Sequence, residues 1–109
     1  MIPQGESLFE QYKNDVRQRV SLRDLVEEGN PKKLRQTGKS SILCCSPLRE
    51  DRHPSFSVFE GGGEYVAFDH ATRESFDLYG FVEKREGLDF VDAVKWCGER
   101  AGLSWDDYK

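Results

Sequence analysis

Between positions 44 and 56 the chain reads CCSPLREDRHPSF, a stretch with two adjacent cysteines, a histidine and four ionised side chains. With His70 downstream, Cys44, Cys45 and His53 complete a set of metal-ligating types within one region. A structural zinc site takes four ligands, commonly as two short chelating pairs such as Cys-x2-Cys, because that spacing lets one turn aim both atoms at the ion. Neither half of this set supplies such a pair. Adjacent cysteines in an extended strand point to opposite faces, so only one of them can serve a given ion. Pro47, Leu48 and Arg49, which follow, are not ligands.

Other motifs with chemical potential fail on spacing. TGKS at 37–40 has the ending of a phosphate-binding loop, but the first glycine of that loop would fall on Lys33. The GGG at 61–63 lacks a dinucleotide fingerprint and suits a hairpin turn. Serine, histidine and aspartate all occur, yet no local pattern sets a nucleophile beside a base. No catalytic residue is assigned within the chain.

The charge distribution points elsewhere. The chain carries a net charge of −4, but residues 30–59 hold six basic and two acidic side chains, and residues 60–109 hold six basic and twelve acidic ones. The middle is a basic segment formed by Lys32, Lys33, Arg35, Lys39, Arg49 and Arg52, interleaved with Phe56, Phe59, Tyr65 and Phe68. Cations that follow a phosphate backbone beside aromatic faces are what single-stranded DNA requires, each stacked base contributing roughly 1–3 kcal/mol. The competing reading is a set of solvated loop charges and core rings. One face of each strand belongs to the core, so at most half of these aromatics are available for stacking.

The elements that position these residues follow from periodicity. Ser7 and Glu10 have capping-box spacing, and Leu8, Tyr12 and Val16 share a face, which predicts a helix over about 7–18. Ser21 with Asp24 starts a shorter helix that GNP at 29–31 ends. These first 28 residues form a helical arm. From 33 to 70 the pattern becomes strand-like: SSILCC, then SFSVF with Phe56 and Val58 on one face. EYVAFDH follows, with Val66, Phe68 and His70 opposite Tyr65, Ala67 and Asp69. The glycines between the last two predict a hairpin. Over 75–101, Ser75 is expected to cap one helix and Asp89 another, the latter bearing Phe90, Val94, Cys97 and Ala101 along its apolar face. Gly102 ends it, and Trp105 is expected to pack back. The fold class is α+β: a small antiparallel sheet with the helical arm before it and a helical pair packed upon it.

A length of 109 residues with 37% apolar and 33% charged side chains fits one globular module and excludes a disordered chain. No apolar run nears the roughly 20 residues of a membrane span, and no signal peptide is evident, so a cytoplasmic location without membrane contact is expected. Three cysteines make no disulfide framework, and reduced thiols are expected.

The order of motifs GKSSILCCSPLREDRHPSFSVFEGGGEYVAFDH and FDLYGFVEKREGLDFVDAVKWCGERAGLSW resembles the N-terminal zinc-binding domain of bacterial and phage DNA primases, from about Val20 to Trp105. That family has Gly-Lys, Cys-Pro-Phe-His, Pro-Ser-Phe-Ser-Val, Tyr-His-Cys-Phe-x-Cys, and a helical ending of the type Gly-Leu-x-Phe-x-Glu-Ala-Val and Glu-Arg-Ala-Gly-Leu. The departures fall on the ligands. Counted back from Pro54, the first family cysteine falls on Ser46 and the histidine on Arg49; counted forward from Gly38 and Lys39, that cysteine falls on Cys45. The second pair falls on Ala67 and His70. The resemblance leaves Cys45 and His70 as the ligands that remain if zinc is held, and implies a domain without a cofactor. A structural zinc contributes about 10–16 kcal/mol in zinc-finger peptides, so its loss must be offset, by the aromatics and by a salt bridge from Arg49 to Asp69 or a neighbouring acid.

What the resemblance implies about function is a non-catalytic, zinc-finger-like domain of a DNA primase or primase-helicase acting in DNA replication, of phage, plasmid or other mobile origin. It would hold the single-stranded template and help select the priming site within a primosome. Lys39, Arg52 and Phe56 fall on family positions; Lys32, Lys33, Arg35, Arg49 and Tyr65 join them from charge and aromaticity. An alternative is a metal-free interaction module that docks on a replicative helicase, polymerase or primase without touching DNA, and a stand-alone regulator is a third reading.

Overall fold

The computed structural model describes residues 7–109. Its elements run in the order α1 (Leu8–Arg17), α2 (Leu22–Glu28), β1 (Arg35–Gln36), β2 (Ile42–Cys44), β3 (Phe56–Gly61), β4 (Glu64–Asp69), β5 (Glu74–Phe76), α3 (Leu78–Glu86) and α4 (Phe90–Ala101), closed by a 3-10 turn at Trp105–Asp107. The five strands pair antiparallel in chain order, so every connection is local. The α+β reading holds.

The helix starts are set by side-chain caps. Ser7 Oγ accepts from Glu10 N at 3.0 Å and Ser21 Oγ from Asp24 N at 3.3 Å, each satisfying an orphan donor of the first turn. The Glu10 carboxylate turns to Lys13 Nζ, 2.6 Å away. Asp89 caps α4 as expected. Ser75 does not cap α3. It lies in β5 opposite Phe68, and Asp77 supplies the cap, its Oδ1 accepting from Gly80 N at 2.7 Å. The sheet therefore runs past residue 70, because Glu74–Phe76 finds hydrogen-bonding partners along the far edge of β4.

Pairing fixes which residues face the core. The inner row Ile42, Val58, Ala67 and Phe76 and the row Cys44, Phe56 and Asp69 lie under α2 and α3. Ile42, Cys44, Phe56, Val58, Ala67 and Asp69 are all buried. The outer row runs Arg35, Leu43, Ser57, Phe68 and Ser75 across all five strands, with Phe59 opposite Val66 beside it. Gly62 and Gly63 adopt φ of 68° and 89° in the hairpin, conformations that a Cβ would strain.

The arm packs back onto the body. Tyr79 Oη donates to Lys13 O at 2.7 Å, joining α3 to α1, and Tyr12 Oη donates to Leu103 O at 3.2 Å beyond α4. Gly98 makes the second contact feasible, since a Cβ there would overlap the Tyr12 hydroxyl. Trp105 packs as anticipated, edge-on to Phe9 with centroids 5.4 Å apart. Among the described residues no helix is long and apolar enough to cross a membrane.

Candidate functional site

The polar stretch after β2 folds around two carboxylates. Asp51 Oδ2 accepts from Ser46 N at 2.9 Å and Ser55 Oγ at 2.8 Å, while Oδ1 accepts from His53 N at 3.4 Å. This makes the segment 46–55 a closed loop. Arg49 then crosses to the end of β4: Nε donates to Asp69 Oδ2 at 3.2 Å and Nη2 to Asp69 Oδ1 at 3.0 Å. Nη1 lies 3.4 Å from Asp51 Oδ1 and Nη2 also donates to Ser55 Oγ at 3.1 Å. Asp69 Oδ1 further accepts from Ala71 N and Thr72 N, at 2.9 and 3.3 Å.

The electrostatics follow the donors. The Ser46 amide holds the Asp51 carboxyl down at about 2; burial opposes this, and Ser55, His53 N and Arg49 add to the lowering. Burial pushes the Asp69 carboxyl up, but the Arg49 hydrogen bonds and the Ala71 and Thr72 amides outweigh it and leave it lowered. Hydrogen bonding to Asp69 raises the Arg49 guanidinium. All three charges are thus kept by their partners.

Against the loop lies a groove of about 770 Å³ whose walls include Pro31, Lys32, Cys45, Arg49, Arg52 and His53. It brings together Lys32, Arg49 and Arg52 from the expected contact set. Lys33 brackets it, its Nζ donating to Arg52 O at 2.7 Å. Lys33 holds a left-handed φ of 56° and Asn30 one of 50°, which bends the chain around the groove. Arg35 stands on the outer sheet face beside Leu43. Lys39 sits exposed in the β1–β2 turn, where Gln36 Nε2 donates to Gly38 O at 2.7 Å.

Three expectations change here. Phe56 is fully buried against Phe76 and Phe81 and offers no face for stacking. Arg49 has every guanidinium nitrogen engaged within the protein, so its first role is to shape the groove wall, although its side chain stays 33% exposed. Tyr65 stands apart from the groove, in a second cleft with Arg17, Leu22 and Leu78. The aromatics on the outer face are Phe59, 39% exposed, and the half-buried Phe68. Alternation separates Phe56 from Phe59, three residues apart, but only strand pairing shows which face is the core.

The CHC2 zinc finger family model matches residues 8–109. The chain belongs to this family of DNA primase domains. The CHC2 domain is 32% identical over 87 residues to the DNA primase of Mycobacterium leprae, covering 80% of this chain and 13% of that protein. It is 33% identical over 97 residues to the DNA primase of Clostridium acetobutylicum, covering 87% of this chain and 16% of that protein. The structure of the Aquifex aeolicus primase, comprising zinc-binding and RNA polymerase domains, superposes with a TM-score of 0.68 over 84% of this chain and 21% of that one, at 21% identity. That likeness establishes the fold. The chain thus spans only a small part of the primases it resembles.

The residues of this CHC2 domain do not fit zinc. The first expected ligand position holds Ser46 or Cys45 according to register, neither register supplies the histidine, and the second pair holds Ala67 and His70, so at most Cys45 and His70 are ligand types. β4 stays extended through Asp69, pairing with Phe56 and Glu74, so positions 67 and 70 face opposite sides. Ala67 is buried in the core, whereas His70 Nε2 lies 2.8 Å from Ser57 Oγ on the outer face, its ring edge-on to Phe68. Cys45 does not lie in the strand; it follows β2, buried, with its amide donating to Lys32 O at 2.9 Å. It therefore escapes the alternation that separates adjacent strand residues, and both adjacent cysteines are buried. Burial pushes the Cys44 thiol up to about 11, with Cys45 and Asp51 adding to it. Among the described residues, no group of three or more histidine, cysteine, aspartate or glutamate side chains is placed to hold a metal ion.

Proposed function

We infer that this CHC2 domain holds single-stranded template DNA for a primase, with the groove and the adjoining outer sheet face as the contact surface. The observation that carries this reading is the clustering of Lys32 and Arg52 on one groove, bracketed by Lys33 and continued along the β1 edge by Arg35 and Lys39. Cations so arranged follow a phosphate backbone, and the outer row takes the bases. Leu43, Ser57 and Phe68 lie in register with Arg35, with Phe59 alongside. The domain supplies no catalytic group in this reading. Polymerisation belongs to a separate domain, and selection of the priming site and contact with a replicative helicase are further roles of the same surface and its surroundings.

Fluorescent single-stranded oligonucleotides titrated at two salt concentrations test this. Affinity should fall steeply with salt as counterions are released. Replacing Lys32, Arg35 and Arg52 together by alanine should weaken binding and flatten the salt dependence. Unchanged binding by that triple variant would sink the assignment.

One observation favours a second reading, docking on a partner protein. Leu8, Phe90 and Val91 are exposed at 40%, 39% and 45%, and Phe9 touches Phe90 with centroids 6.3 Å apart, so the starts of α1 and α4 share an apolar surface. Loss of helicase or polymerase association on Phe90→Asp, with oligonucleotide binding intact, would assign that surface to a protein.

A further inference from the structure

We propose that this CHC2 domain folds without zinc, and that Arg49, clamped between Asp69 and Asp51, makes the cross-link that a metal makes in a zinc finger. Zinc in such a domain ties a loop to a neighbouring strand end through ligands from both. Here the same two segments, 46–49 and 67–70, are tied by a guanidinium. Counted back from Pro54, Arg49 stands at the position expected for a ligand, and two parallel hydrogen bonds bind it to Asp69.

The replacement is complete in three respects. Both segments are fixed internally: Asp51 closes the loop through Ser46 and Ser55, and Asp69 closes the β4–β5 turn through Ala71 and Thr72. The central bond is bidentate, which constrains orientation as tetrahedral coordination does. The buried acceptor is fully matched: the Asp69 side chain is 4% exposed and accepts four hydrogen bonds, the condition under which a buried ion pair offsets its own desolvation. The strand that carries the acceptor is itself fixed: β4 remains extended through Asp69, paired with Phe56 of β3 on one side and Glu74 of β5 on the other.

The test uses the whole chain expressed in zinc-supplemented medium. Metal content is measured by elemental analysis, and thermal unfolding is followed with and without excess chelator. The expected result is far less than one zinc per chain and an unfolding midpoint that chelator leaves unchanged. Arg49→Lys keeps the charge and loses the fork, and Asp69→Asn removes the ion pair. Each should lower the midpoint by more than about 10 °C, or prevent folding, while the neighbouring Arg52→Ala leaves it in place. One zinc per chain whose removal unfolds the wild-type protein would overturn the proposal, as would wild-type stability in both Arg49→Lys and Asp69→Asn.

Discussion

Arg49 reaches across twenty residues of sequence to grip Asp69 with two parallel hydrogen bonds, of 3.2 and 3.0 Å. Asp69 is the buried member of the pair, and its loss also leaves the Ala71 and Thr72 amides without their acceptor. Asp69→Ala should therefore lose stability, read as a lower urea midpoint with an unchanged slope.

Acid should loosen the same loop. The Asp51 carboxyl is held at about 2 when folded and returns to about 3.9 when unfolded. A depressed folded value means the stabilisation is fully present above the unfolded value and is lost as pH falls through the folded one. Stability should therefore decline between about pH 4 and pH 2, with lowered Asp69 acting in the same direction. Tryptophan fluorescence during acid titration measures this, and Asp51→Asn should flatten the decline.

Gly98→Ala would normally favour a helix by about 1 kcal/mol. In α4 the new Cβ overlaps the Tyr12 hydroxyl, and overpacking of a core costs about 1–3 kcal/mol. The clash should win and the variant should be destabilised. Tyr12→Phe removes the overlapping oxygen, so the double variant should recover part of the loss in a thermodynamic cycle.

Phenylalanines 56 and 68 should separate by phenotype. Phe56→Ala empties a core site and should cost about 3–5 kcal/mol of stability. Phe68→Ala should leave the unfolding midpoint nearly unchanged and weaken oligonucleotide binding by about 1–3 kcal/mol, the value of one stacked base. Denaturation and fluorescence titration on the two variants decide between these roles.

Asp77→Ala should destabilise α3 by about 0.5–2 kcal/mol through loss of its cap, whereas Ser75→Ala, at an exposed position in β5, should be close to neutral. Thermal unfolding distinguishes them.

That last contrast shows where sequence patterning stops. Ser7, Ser21 and Asp89 each have one cap position available, and all were legible. Ser75 and Asp77 both satisfy the local rule, and only pairing with Phe68 places Ser75 in a strand. The hairpin was legible because three glycines between alternating runs leave few alternatives. The fate of Phe56 and Phe59 was not, since alternation tells them apart without saying which one is covered by helices. The Arg49–Asp69 pair was readable only through its register with a metal-binding pattern. Nothing local links residues twenty apart. The groove depends on two non-glycine residues in left-handed conformations, Asn30 and Lys33, and such conformations follow from tertiary closure, with no periodic signal to announce them.

Both rims of the sheet are short: β1 has two residues and β5 three. A sheet grows into a fibre by adding chains along an exposed rim, and the hydrogen bonds offered there set how readily it does so. Arg35 stands on one rim and Glu74 on the other. Short, charged borders of this kind work against edge-to-edge aggregation in a domain that displays Phe59 and Phe68 on an open face.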